Sequence, residues 1–290
     1  MKTLLTIIAC GYCLMASAQT PEPAVGKAIY EFTHVRDTTN RAKPYHETMV
    51  LLVGRNCSVY KSLDKQLNIE KMQQDMLNQV KNAPNPNALA LKIQGQSPTL
   101  EEEYYLYPKD KKMLVEENII NYYIVKDTFP VMKWKVKKDT LSIGGLHCQK
   151  AITHFKGRDY EAWFCPDLPF KSGPWKLNGL PGLILQANDT KNEVIFKFAG
   201  FEDISKQGQT IVPPADDLKA SLEEINRLKY TRANDPDAFK KIPKQSGQKA
   251  SGASNAFDGI DNTKIASIDI KGYSGPNTKV VNNPIELPEK

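Results

Sequence analysis

The sequence predicts an α+β protein, mostly antiparallel β, built as one curved sheet or half-open barrel with a few helices packed against it. Three observations carry that prediction. Short apolar runs recur along most of the chain with a period of two, bounded by Gly, Pro, Asn and Asp. Only one long stretch, residues 64–82, changes to the three- and four-residue spacing of a helix. Gly and Pro punctuate the runs where a sheet would bend. With 40% hydrophobic and 25% charged residues the chain has a globular composition, which excludes full disorder.

The first 18 residues read as a secretory signal. Lys2 gives the positive start, Leu4 to Leu14 the apolar stretch, and Ala16-Ser17-Ala18 the small-residue cleavage site. Ile7-Ile8-Ala9-Cys10 is similar to a lipoprotein box, but cleavage there leaves a very short apolar stretch, so cleavage after Ala18 is the better reading. No second run reaches spanning length, and no transmembrane segment is expected in the mature chain. A single β-rich domain is expected over residues 19–243.

Within it, residues 27–36 alternate aromatic and polar side chains and read as a strand. Residues 46–53 and 57–61 flank Gly54-Arg55-Asn56 and read as a hairpin. Leu67, Ile69, Met72, Met76, Leu77 and Val80 give the 64–82 helix its apolar face, and its methionines read as core. Residues 83–99 are rich in Asn, Pro and Ser and read as an irregular excursion. Strand-like runs follow at 102–107, 112–117, 120–126 and 131–136, spaced as in a meander. A second block covers 146–155, 159–165, 182–188 and 193–202. Helices are expected over 216–229 and 234–242. Residues 244–279, rich in Gly, Ser, Asn and Lys, read as a flexible excursion. Residues 280–290 are expected to dock as a strand.

Removal of the leader leaves three of the five cysteines: Cys57, Cys148 and Cys165. A two-residue turn at Lys156-Gly157 places Phe155 opposite Arg158 and, carried back along the strands, Cys148 opposite Cys165. That geometry suits a cross-strand disulfide, and an exported protein meets an oxidising compartment. Closing so short a loop contributes about 3 kcal/mol or less. Cys57 reads as a small buried hydrophobe.

The stretch Gly173-Pro174-Trp175-Lys176-Leu177-Asn178 leads into Gly179-Leu180-Pro181-Gly182-Leu183-Ile184. Pro181 cannot sit in the middle of a ladder, and Gly179 and Gly182 permit positive φ or close backbone approach. The order predicts a turn feeding a buried strand. This block resembles the signature of the GLPGLI family. The hairpin before it (Cys148-Gln149-Lys150-Ala151, the Gly157-Arg158 turn, Ala162-Trp163-Phe164) and the late string Asn282-Asn283-Pro284-Ile285-Glu286-Leu287 resemble the same family, whose core would span about 100–205. The resemblance implies an exported protein of a double-membraned bacterium, without a settled activity.

No catalytic string is present: no Gly-x-Ser-x-Gly, no His-Glu-x-x-His, no phosphate loop and no Cys-x-x-Cys. His34, His46, His147 and His154 sit singly on predicted strands. His154 faces Asp159 across the hairpin, most simply as a surface pair. The aromatic, Pro-rich loop from Trp163 to Trp175 offers Trp163, Phe170 and Trp175 either as a binding rim or as a plug for an open sheet edge. A net charge of +6, spread among many acids, argues against nucleic acid as a partner. No catalytic residue, metal site or cofactor is assigned. The expected function is non-enzymatic: an exported periplasmic or outer-membrane-associated protein that binds an apolar ligand or a component of outer-membrane transport. The alternatives are a hydrolase of unfamiliar type, and metal handling by the cysteines and histidines.

Overall fold

The computed structural model describes residues 21–96, 99–215, 217–244, 257, 259–272 and 281–289. The leader expected over residues 1–18 lies outside them, as does much of the stretch from 244 to 279.

The chain begins with β1 (Glu22–Pro23), β2 (Gly26–His34), β3 (Tyr45–Val53) and β4 (Ser58–Ser62). Ser62 ends β4 and also caps α1 (Leu63–Lys81), its hydroxyl accepting from the Lys65 amide at 2.9 Å. Asp64 in the first turn and Lys81 in the last complement the helix dipole. Next come β5 (Leu89–Gln94), β6 (Glu103–Tyr107), β7 (Lys112–Asn118), β8 (Tyr122–Thr128) and β9 (Lys135–Ile143). The second block is β10 (Leu146–Phe155), β11 (Arg158–Cys165), β12 (Leu183–Asp189) and β13 (Val194–Asp203). The chain continues through β14 (Thr210–Ile211), β15 (Leu218–Ala220), α2 (Leu222–Asn234), α3 (Pro236–Lys240) and β16 (Ile265–Lys271).

Among the described residues, twelve strands form one sheet in the order β15-β8-β7-β6-β4-β3-β2-β13-β12-β11-β10-β9. All neighbours are antiparallel except β15, which runs parallel to β8. β9 and β15 are free edges, so the sheet is curved but not a closed barrel, and the fold is α+β as the sequence predicts. Register shifts interrupt the β9/β10, β11/β12 and β2/β13 pairings. Each is a bulge that bends its strand and adds twist. The main core gathers Tyr30, Phe32, Tyr60, Trp175, Leu183 and Phe196 from both halves of the sheet. On another face Val50, Leu52, Val59 and Tyr105 pack with Ile204 and Ile211, and β14 pairs there with β1.

Several elements differ from the sequence reading. The strand expected at 131–136 is β9, displaced to Lys135–Ile143. Nearly all of β9 is exposed, so backbone pairing to β10 defines it and no apolar alternation marks it. The expected excursion at 83–99 contains β5, whose Leu89, Leu91 and Ile93 are buried against Met76 of α1. Its partner β16 comes from a stretch that composition alone assigns to an excursion. The helix expected from 216 begins later, at Leu222. Ser221 and Glu224 form a capping box that fixes its start, and Leu218–Ala220 pair instead with β8.

The expected disulfide is absent: Cys148 and Cys165 are free thiols, both fully buried, and Cys57 is a third. The predicted turn register holds from Phe155↔Arg158 to Gln149↔Phe164. The ladder ends there, one pair short of the cysteines, and β11 shifts register against β12 at Trp163/Phe164. The Cys148 thiol turns to the Leu146 carbonyl, 3.6 Å away. Burial, with Cys165 beside it, pushes this thiol up to about 11, so it stays protonated and poorly nucleophilic.

Candidate functional site

The corner at 173–184 sets the site. Gly179 has φ +91°, which L side chains rarely adopt. Gly182 serves differently: a Cβ there would sit 2.2 Å from the Cys165 carbonyl oxygen, so only glycine lets the corner cross the end of β11. The strand that follows buries Leu183, Ile184 and Leu185 completely, each worth about 1.5–3 kcal/mol relative to exposure. Tyr30 on β2 donates to the Ile184 carbonyl at 2.8 Å. Trp134 donates to the Asn178 carbonyl at 2.7 Å and fixes the approach.

This corner turns Trp175 inward against Phe155 and Tyr160, with ring centroids 5.7 and 6.4 Å away. Trp175 is therefore core and forms no rim. Trp163 lies half-buried beneath the Lys150 ammonium, and Phe170 packs on Phe201. The three aromatic candidates do not converge on one surface.

What the corner does present is Lys176. Its ammonium lies 3.0 Å from Asp127 on β8 and 2.6 Å from Glu286, over the ring of Tyr104 on β6. Lys156, at the hairpin turn, meets the other oxygen of Glu286 at 3.1 Å. Lys229 on α2 pairs with Glu117 on β7 and lies 3.9 Å from Glu102. These groups line a cleft of about 310 Å³. Burial pushes the Glu117 carboxyl up; the Lys229 ion pair opposes that and the Glu102 charge reinforces it, leaving the group raised. Burial likewise pushes the Tyr104 phenol far up, with Glu102, Glu117 and Glu286 adding to it.

Beside the cleft lies a dry knot. Arg158 follows the turn on the buried face of β11, in phase with Tyr160, Ala162 and Phe164. Its Nη1 donates to Asp189 (2.6 Å) and Glu193 (3.2 Å). Its Nη2 donates to the Asn283 side chain and the Pro284 carbonyl (both 2.7 Å), and its Nε to the Ile285 carbonyl (3.0 Å). Asp189, which reads from sequence as a turn residue, also accepts from the amides of Glu193 and Val194. Burial pushes the Glu193 carboxyl up, but hydrogen bonds from Arg41, Arg158 and Asn283 outweigh it and hold the group low. His34 Nε2 lies 2.8 Å from the Asn283 carbonyl oxygen, which only accepts, so that nitrogen carries the proton. Burial, then the Arg36 charge, pushes His34 down to about 4. The knot thus pins the C-terminal segment, which is irregular over 281–289 and forms no ladder strand.

A second hollow surrounds Glu47 and Asp64. Tyr45, Ser62 and the Leu100 amide all donate to Glu47, and the Thr48 amide donates to Asp64. These carboxylates tie chain segments together. His46 bonds Thr33, away from Glu47. His154 sits between Asp159 and Glu289 at the surface. Among the described residues no three His, Cys, Asp or Glu side chains converge as a metal ion requires, and no helix is long and apolar enough to cross a membrane.

Sequence reasoning missed Lys156, Arg158, Lys176, Glu193 and Glu286 as a set. Only Arg158 carried a local signal, a charge in the buried phase of a strand.

A family model described as "Protein of unknown function (Porph_ging)" matches residues 154–186, the interval that holds Lys156, Arg158, Lys176 and the corner. No curated protein matches. Among the solved chains similar to this one are two at low identity. "Structure of PNGF-II in P21 space group" is 15% identical with a TM-score of 0.45, covering 70% of this chain and 32% of that one. "Structure of PNGF-II in C2 space group" is 12% identical with a TM-score of 0.46, over the same shares. The chain spans about a third of the length of these solved chains.

Proposed function

We propose that this is an exported cell-envelope protein that binds a charged ligand or partner in the cleft between the hairpin turn, the corner and α2. One observation carries the reading. Lys156 and Lys176 place an ammonium on each oxygen of a single carboxylate, in a cleft that remains open: Glu286 is 34% and Lys156 43% exposed in their side chains. The other wall offers Glu102, Glu117 and Asp127 to a cationic group. Among the described residues the lining contains no Ser, Thr, Cys or His to act as nucleophile or imidazole base. Tyr30, Phe32, Tyr60 and Phe196 are buried against one another in the main core, so a polar ligand suits the molecule better than an apolar one. Lys2, the apolar stretch and Ala16-Ser17-Ala18 support export.

A thermal-shift panel of short acidic, basic and zwitterionic peptides tests this reading. Charged members should raise the melting temperature of the wild type, and Lys176→Met should lose that response. A flat panel, with nothing small co-purifying from envelopes by native mass spectrometry, sinks the idea.

One observation favours a hydrolase as the second reading. Burial, reinforced by the Glu102 charge, pushes the Glu117 carboxyl up, and a raised carboxyl beside a second carboxylate is the arrangement that acid–base hydrolysis uses. A turnover abolished by Glu117→Gln, with ligand binding intact, would replace the binding reading.

A further inference from the structure

The C-terminal segment is recognised residue by residue. The Asn282 and Asn283 amides donate to the Arg36 carbonyl, both at 3.1 Å. Asn283 is 5% exposed; its amide nitrogen donates to the Val35 carbonyl at 2.7 Å and to Glu193 at 3.1 Å, and its side-chain oxygen accepts from Arg158. Ile285 packs against the main core. Glu286 occupies the two-lysine seat. The Leu287 amide donates to the Lys156 carbonyl at 3.0 Å, and Leu287 and Pro288 press on Gly157, where a Cβ would lie 2.7 Å from both. Glu289 accepts from the Gly157 amide and reaches His154.

Main-chain bonds for affinity, side-chain pockets for specificity and prolines that keep a segment extended are the marks of a bound peptide ligand. The segment adds no strand to the sheet, and Arg36, Lys156 and Arg158 are all supplied by other parts of the chain. With the segment in place, the cleft beside Glu286 still leaves about 310 Å³.

We propose that this groove recognises a glutamate-bearing extended peptide presented by another protein chain, and that residues 282–289 are its resident mimic. The inference rests on the binding reading of the cleft and narrows it to one ligand class. A tethered segment competes at an effective concentration in the millimolar range. The intact chain therefore binds a free peptide more weakly, and loosening the segment strengthens that binding.

The test uses a fluorescent synthetic peptide with the sequence of residues 282–289 and the full chain as wild type, Glu286→Gln and Asn283→Ala. Glu286→Gln touches a part-exposed side chain and keeps the fold; Asn283→Ala loosens the segment through a separate contact. Each variant should bind the peptide at least tenfold more tightly than the wild type. The same peptide carrying Glu286→Gln should bind each variant at least tenfold more weakly. The inference fails if Glu286→Gln, folded by circular dichroism, shows no saturable binding at millimolar peptide. It also fails if the Glu and Gln peptides bind equally. Should other panel members still shift the melting temperature through Lys176, only this inference falls; a silent panel removes the binding reading as well.

Discussion

The C-terminal segment passes two ionic regions that meet the same few residues of chain in opposite ways. At the Arg158 knot the charges are dry: the Arg158 side chain is 2%, Asp189 3% and Glu193 5% exposed. Each nitrogen of the guanidinium is hydrogen-bonded. At the Lys156–Glu286–Lys176 seat the acid and one lysine remain partly in water. A dry, fully bonded charge is costly to unpair and suits a fixed anchor. A wet charge exchanges partners cheaply and suits a ligand seat. Fixed anchor and replaceable contact sit side by side on one hairpin turn.

The largest effect should follow from breaking the anchor. Arg158→Ala leaves Asp189 buried without its cation and Glu193 with Arg41 alone, and urea unfolding should show a loss of about 3–5 kcal/mol. Combining Arg158→Met with Asp189→Asn and Glu193→Gln removes all three charges and should recover much of that loss. A single substitution that costs under 1 kcal/mol would mean that the knot is not dry, and the contrast with the cleft would collapse. Next in size is Gly182→Ala. The added Cβ meets backbone rather than a flexible side chain, so the corner must shift, at about 1–3 kcal/mol. Because the same corner presents Lys176, this substitution should lower both the melting temperature and cleft affinity.

His34 adds a pH dependence to the anchor. Its pKa falls from 6.5 to about 4 on folding, so the unfolded chain takes up a proton that the native state refuses. The His34 contribution is complete above pH 6.5 and is lost as the pH falls towards 4. The slope approaches about 1.4 kcal/mol per pH unit, or roughly 2 kcal/mol between pH 6.5 and 5. Urea titrations of the wild type and His34→Gln should differ in that slope. Equal slopes would assign the acid sensitivity to another group.

The sequence reveals local matters well and distant ones poorly, and these two regions show why. The turn at Lys156-Gly157 and the Phe155↔Arg158 register follow from two neighbouring strands and a glycine. The corner at 179–184 follows from Pro181 and its flanking glycines. The partners of Arg158 lie 31, 35 and 125 residues away along the chain, and no periodicity links them. Trp175 looks like a rim residue in a list of aromatics. Its φ of +55° belongs to the turn that carries it into the core, and composition does not encode that angle. The cysteine register extrapolates the ladder one pair beyond Gln149↔Phe164, where the pairing of the two strands stops. β9 is misplaced in the sequence reading because an edge strand held by backbone pairing carries no apolar alternation to fix its bounds.

The smallest stability effect gives the sharpest separation between anchor and seat. Lys156 and Gly157 have φ of +52° and +70°, the pair of left-handed residues in a type I′ turn. Asn is far better suited than Lys to the first of these positions. Lys156→Asn removes an exposed ion pair worth at most about 1 kcal/mol while relieving strain of similar size. The melting temperature should therefore hold or rise slightly. The same change takes one of two ammonium groups from the carboxylate seat, so affinity for a glutamate peptide should fall several-fold in a Glu286→Gln background. Stability and binding would then move independently through one residue. If both fell together, Lys156 would belong to the anchor, and the boundary between lock and seat would have to be redrawn on the Lys176 side of the turn.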